Sequence, residues 1–216
     1  MRVAVCDCGA GNVRSVVRAI EHVLRGSAGV TLTNEAAAIR TADRIVVPGQ
    51  GSFGAFAAAI QKGGLGEALV EKIHSGAPYL GICLGLQVLF EESEEAPGVR
   101  GLGILRGRVR RLAPGIDEAT ALARPLPHVG WNEVVATRGA RLTGERAIFP
   151  PSEHFYFAHS YAAVPDDPAV VAATTEYGPS FASAVASDAI VGVQFHPEKS
   201  QRAGLALLER FFAQPA

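Results

Sequence analysis

Ala77-Pro78-Tyr79-Leu80-Gly81-Ile82-Cys83-Leu84-Gly85-Leu86-Gln87-Val88 is the stretch that decides how this chain folds. The apolar run over 77–82 has the composition of a buried strand, and it ends at a lone thiol set between two glycines. Strand, sharp turn and nucleophile in that order are the grammar of a nucleophile elbow. There the turn holds the reactive side chain in a strained backbone conformation, and flanking glycines let neighbouring segments approach closely. Residues 86–91 suit a following helix, whose N-terminus would aim free N–H groups at the sulfur and favour its thiolate. Cys83 then stands as an activated nucleophile at the carboxyl edge of a sheet. On the motif alone, a buried structural cysteine is an equal alternative.

The second half of the chain separates the two readings. Residues 189–195 form a second apolar run that leads directly into His196-Pro197-Glu198. In extended chain, residues i and i+2 face the same way. Glu198 can then accept from one imidazole nitrogen of His196 while the other takes the thiol proton, giving nucleophile, base and orienting acid. A strand-end histidine beside a solvated glutamate is the plain alternative. The coincidence of both motifs at strand ends favours the catalytic set Cys83, His196 and Glu198.

Composition bounds the rest. The chain has 216 residues, 48% of them hydrophobic, enough for one sizeable core, and we expect a single domain over 1–216. A net charge of -1 gives no electrostatic case for nucleic acid or an anionic membrane. Three cysteines are too few and oddly numbered for a disulfide framework, and Cys6-x-Cys8 lacks zinc-site spacing. The sequence calls for neither metal nor cofactor. No apolar run reaches the length needed to span a bilayer or resembles a signal peptide, so a cytoplasmic enzyme is expected.

Up to the elbow, strands and helices alternate: strands over 2–6, 30–33 and 44–47, helices over 13–24, 53–60 and 65–74. That is an α/β, doubly wound pattern. From 101 to 193 the segments become short and β-rich, with turns at Pro114-Gly115, Pro165-Asp166-Asp167-Pro168 and Gly178-Pro179, and a helix over 199–212 closes the chain. Residues 113–127 look like a surface excursion.

Gly49-Gln50-Gly51-Ser52-Phe53-Gly54 supports a rival reading. It matches G-x-G-x-x-G between a strand and a helix, the setting of a dinucleotide site. The acidic residue such a site needs about 20 positions on, at the end of the next strand, is missing, because Glu67 and Glu71 fall in a helical stretch. The turn is better placed to supply a backbone N–H, from Gln50, that holds an oxyanion together with the N–H of Leu84.

Gly81-Ile82-Cys83-Leu84-Gly85-Leu86-Gln87, Pro48-Gly49-Gln50-Gly51 and Gly192-Val193-Gln194-Phe195-His196-Pro197-Glu198 together resemble the three signatures of the class I, triad-type glutamine amidotransferases. Asp7-Cys8-Gly9-Ala10-Gly11-Asn12, Pro127-His128-Val129-Gly130-Trp131-Asn132, Tyr156-Phe157-Ala158-His159-Ser160-Tyr161 and Lys199-Ser200-Gln201 extend the likeness along the whole chain, toward the branch serving histidine biosynthesis. The resemblance implies a flavodoxin-like mixed sheet flanked by helices, and hydrolysis of glutamine through a Cys83 thioester. It places Gly49, Gly51, Gln87, Ser160 and Tyr161 around the bound glutamine. It also implies a heterodimer in which Asn12 and Lys199 meet a separate cyclase subunit of (β/α)8-barrel form that receives the ammonia. Cys8, where the family commonly has tyrosine, and the length of 113–127 depart from the pattern. A stand-alone γ-glutamyl hydrolase, an amidotransferase subunit of another pathway and a dinucleotide-binding module are the alternatives. His22 and His74 are read as solvent-facing, His128 and His159 as lying near glutamine or the subunit contact, and Trp131, absent the resemblance, as a core aromatic.

Overall fold

The computed structural model describes residues 1–9, 11–117, 121–137 and 148–215, so Ala10 of the N-terminal motif and residues 118–120 of the surface excursion lie outside the described residues. In chain order the elements are β1 (Arg2–Cys6), α1 (Val13–Leu24), β2 (Gly29–Thr33), α2 (Ala36–Thr41), β3 (Arg44–Gly49), α3 (Phe53–Ile60), α4 (Leu65–His74), β4 (Tyr79–Cys83) and α5 (Leu84–Gln87). They continue with β5 (Glu92–Ser93), β6 (Gly107–Arg111), β7 (His128–Ala136), β8 (Ser152–His159), β9 (Tyr161–Pro165), β10 (Val171–Glu176), β11 (Ser180–Ser187), β12 (Ile190–Val193) and α6 (Gln201–Ala213).

Among the described residues, nine strands make one mixed sheet in the order β2-β1-β3-β4-β12-β11-β10-β7-β8. From β2 to β12 neighbouring strands are parallel; beyond β12 they are antiparallel. The alternation of buried side chains explains the double winding. Val3, Val5 and Val46 face one core, with Val16 and Ile20 of α1 and Leu207, Leu208 and Phe211 of α6. Ala4, Cys6, Ile45 and Val47 face the other, with Ile39 of α2, Phe53 and Phe56 of α3 and Leu69 of α4. Strands buried on both faces are therefore apolar throughout, as parallel strands between helix layers must be. A three-stranded sheet, β5-β6-β9, sits beside this body, and β9 begins at Tyr161, two residues after β8 ends.

Two local expectations need correction. The helix after the elbow is the single turn α5, not 86–91. The carbonyls of Val88, Leu89 and Glu91 accept instead from the N–H groups of Leu102, Leu105 and Gly101, at 2.7, 2.9 and 3.0 Å, so the chain cannot continue helically. Trp131 is not a core aromatic: it is 46% exposed on β7, on the face opposite buried His128 and Val134. The 113–127 excursion is pinned by Arg124, which donates to the carbonyls of Pro114 and Ile116 at 3.2 and 2.9 Å.

The elbow depends on backbone-to-backbone contact. A Cβ on Gly85 would lie 1.7 Å from the carbonyl oxygen of Val47, and one on Gly81 would lie 2.3 Å from the carbonyl oxygen of Gly85. Neither oxygen can retreat, since both belong to main chain packed inside the sheet–helix interface. Gly85→Ala is expected to cost about 3 kcal/mol in urea unfolding. Gly29→Ala, where a methyl would meet nothing within 4 Å, should stay within about 0.5 kcal/mol of the parent.

Candidate active site

β4 delivers Cys83 to its carboxyl end with φ 54° and ψ −105°, a conformation that costs a non-glycine residue about 1–3 kcal/mol. The neighbouring parallel strand β12 ends at Val193, and the chain then carries His196 beside it. His196 is 1% exposed. Its Nδ1 lies 2.9 Å from Glu198 Oε1, while Nε2 is buried without a hydrogen bond and Cys83 acts on the ring from nearby. The pairing does not come from extended chain, as the i, i+2 spacing suggests. Pro197–Lys199 is a 3₁₀ turn, and Ser200 clamps it: its Oγ donates to the His196 carbonyl at 2.6 Å and accepts from Tyr156 N at 2.9 Å. Asn12 Nδ2 donates to Glu198 Oε1, so the residue expected at a partner contact also touches the acid.

Beside Cys83 opens a cleft of about 350 Å³ lined by Gln50, Gly51, Leu84, Gln87, Ser160 and Tyr161, together with Glu95, Pro127, Ala158 and His159. The structure thus gathers residues from β3–α3, the elbow and the β8–β9 junction around one thiol. Gly49 does not line the cleft; the space its side chain would take is filled by Leu84 Cβ and the Phe56 ring, both 2.6 Å away. Glu95 carries no motif in the sequence, yet its Oε2 accepts from Phe53 N at 2.7 Å. That carboxylate occupies the N-terminus of α3, where a dinucleotide would need its pyrophosphate, and its charge would repel one. The G-x-G-x-x-G match is therefore a turn with a different task.

Residues 4–215 match the family described as Glutamine amidotransferase class-I. The chain belongs to the class-I glutamine amidotransferases. Within that family it is 47% identical over 210 residues to a Nitrosomonas europaea protein named "Imidazole glycerol phosphate synthase subunit HisH", covering 97% of this chain and 96% of that one. A Methylococcus capsulatus protein of the same name is 44% identical over 209 residues, covering 97% and 94%. A solved structure described as "Crystal structure of glutamine amidotransferase" superposes with a TM-score of 0.70 at 18% identity, covering 98% of this chain and 99% of that one, which speaks for the fold.

The electrostatics of this amidotransferase site centre on His196. Burial opposes charge on the ring, but the nearby Cys83 sulfur and the bond to Glu198 outweigh it and raise the pKa from 6.5 to about 9. Lys199 sets its Nζ 5.7 Å from the centre of the Tyr156 ring, which in turn meets Trp131 edge-on at 6.3 Å. His22 and His74 are exposed, and His128 and His159 are buried. Ser200, Glu95 and Gln194 escape a sequence reading, because what they do depends on neighbours far away along the chain.

The folded protein binds the His196 proton more tightly than the unfolded chain does. Its contribution to stability is therefore full below pH 6.5 and is lost as the pH rises through about 9. In an NMR titration the His196 ring should give a midpoint near pH 9, and Glu198→Gln should move it down by about one unit or more. An unchanged midpoint would mean that the acid does not act on the base.

Proposed function

We propose that this chain hydrolyses glutamine to glutamate and ammonia at Cys83, and passes the ammonia to a separate cyclase subunit that makes imidazole glycerol phosphate in histidine biosynthesis. One observation carries the chemistry: a thiol held at positive φ, beside a buried His196–Glu198 pair and open to a small polar cleft. The pathway rests on the shared name of relatives matched along almost their whole length.

In this mechanism the Cys83 proton passes to His196 and the sulfur attacks the side-chain carboxamide carbon of glutamine. The N–H groups of Leu84 and Gln50 receive the oxyanion. As the tetrahedral intermediate collapses, the C–N bond breaks and His196 returns the proton to the departing ammonia. Water, deprotonated by His196, then attacks the thioester; glutamate leaves and the thiolate is restored, so one catalytic set serves both halves. Gly51, Gln87, Ser160 and Tyr161 surround the amino-acid end of the substrate, and the Glu95 carboxylate faces its ammonium group across the cleft. The family-based place of Gly49 in that group gives way to a role in packing.

The whole chain works as one glutaminase domain, and the acceptor chemistry belongs to a partner of (β/α)8-barrel form. Lys199 lies over the Tyr156 ring, which meets Trp131 edge-on, and Asn12 donates to Glu198; these residues are where the partner docks. The reading places the enzyme in the cytoplasm, consistent with three free cysteines.

In the reconstituted complex, Cys83→Ser should lose glutamine-dependent synthesis by about a thousandfold or more and retain synthesis from added ammonium salt. Loss of both activities in a variant that still binds its partner would contradict this division of labour.

A further inference from the structure

Gln194 precedes His196 by two residues, is fully buried, and has no role in the mechanism above. Its Nε2 lies 3.5 Å from Cys83 Sγ. We propose that Gln194 is a further catalytic residue, which donates a hydrogen bond to the Cys83 thiolate and is held in that orientation by Gln87 and the Tyr161 carbonyl. The proposal rests on Cys83 being the nucleophile but not on glutamine being the substrate.

The orientation of the amide follows from its neighbours. Gln87 Nε2 is 2.9 Å from the Tyr161 carbonyl, which can only accept, and 3.0 Å from Gln194 Oε1. Both hydrogens of Gln87 Nε2 are therefore committed, the oxygen of Gln194 must face Gln87, and its NH₂ must face the sulfur. The Tyr161 carbonyl takes a second bond from His159 Nδ1 at 2.8 Å, so that nitrogen carries the hydrogen and His159 Nε2 accepts. His128 Nδ1, 3.1 Å away, must then donate to it, and His128 Nε2 accepts from Asn132 Nδ2 at 3.2 Å. Asn132 is fixed independently: its Nδ2 also donates to the Glu176 carbonyl at 2.9 Å, and its Oδ1 accepts from Glu133 N at 2.8 Å. From Asn132 to the sulfur, only one assignment of hydrogens satisfies every contact.

The chain requires both histidines to be neutral, since an added proton would set two N–H groups against each other. Burial supplies that condition, lowering His159 to about 3 and His128 to about 4. When the thiol ionises, its proton goes to His196 and the electron pair stays on Sγ, where the Gln194 N–H meets it. A hydrogen bond to the charged form favours that form. Gln194 thus acts on the sulfur from one side while His196 acts from another.

Iodoacetamide alkylation of Cys83, mapped by mass spectrometry across pH on the full chain, tests this without any glutamine turnover. The titratable groups around the sulfur among the described residues are His196 and Glu198 after β12, His159 and Tyr161 at the β8–β9 junction, and Glu95 after β5; none of them is altered. Gln194→Met keeps most of the side-chain volume and loses both donor and acceptor without adding an ionisable group, and Gln194→Leu does the same with a shorter side chain. Each should slow alkylation at pH 7 by about tenfold and move the rate profile to higher pH. Gln87→Met removes the donor that turns the Gln194 oxygen away from the sulfur and should shift the profile the same way, by about twofold to threefold. A wild-type profile in a folded Gln194 variant overturns the proposal; if neither Gln194 variant folds, an unchanged profile in Gln87→Met does so. If glutamine proves not to be the substrate, these profiles are unaffected, so the two readings fail separately.

Discussion

The contact between the α5 turn and strand β3, too close to admit even a methyl group at Gly85, is the constraint from which the site follows. With Gly85 pressed on the Val47 carbonyl and Gly81 on the Gly85 carbonyl, the chain must reverse within one residue, and that residue is Cys83. The strain of its positive φ is offset by the apolar strands and helices packed on both faces of the sheet. The same parallel register that sets Gly49 beside Cys83 sets Val193 beside Ile82, so the Gly49–Gly51 turn and the strand leading to His196 arrive on either side of the thiol without a flexible element between them.

Rigidity extends to the polar groups. Burying a histidine and a carboxylate costs free energy unless each is paired. Here His196 pairs with Glu198, Glu198 with Asn12, and the turn between them is tied by Ser200. His196 Nε2, Gln87 Oε1 and Glu198 Oε2 are buried without hydrogen-bonded partners. The first two stand beside the thiol or at the cleft, where a reacting molecule can supply the missing partner.

The sequence carried much of this because local chemistry and global fold agree here. Period-2 alternation separates the two faces of β1 and β3, and glycines bracket Cys83 where backbone contact forbids any side chain. Where it misled, non-local partners decided. The helix expected over 86–91 lost its carbonyls to residues 101–105, the His196–Glu198 pair needed a 3₁₀ turn held by Ser200, and Trp131 lies on a sheet face left open. Glu95, Ser200 and Gln194 have no spacing rule behind them. Each depends on a distant neighbour: Glu95 meets Phe53 across 42 positions, Ser200 meets Tyr156 across 44 and Gln194 meets Cys83 across 111.

At the centre of the account is the claim that fold geometry singles out one thiol of three for reaction. Cys6 lies buried in β1, where the neighbouring Cys8 thiol and its own burial push the thiol well up and away from reactivity, whereas Cys83 has His196, Gln194 and an open cleft. Labelling with a diazo-ketone analogue of glutamine, read by tandem mass spectrometry, tests this most directly. A single adduct on Cys83, with Cys6 and Cys8 untouched, is the predicted result. Equal labelling of all three cysteines would show that no activated thiol exists and would contradict the account.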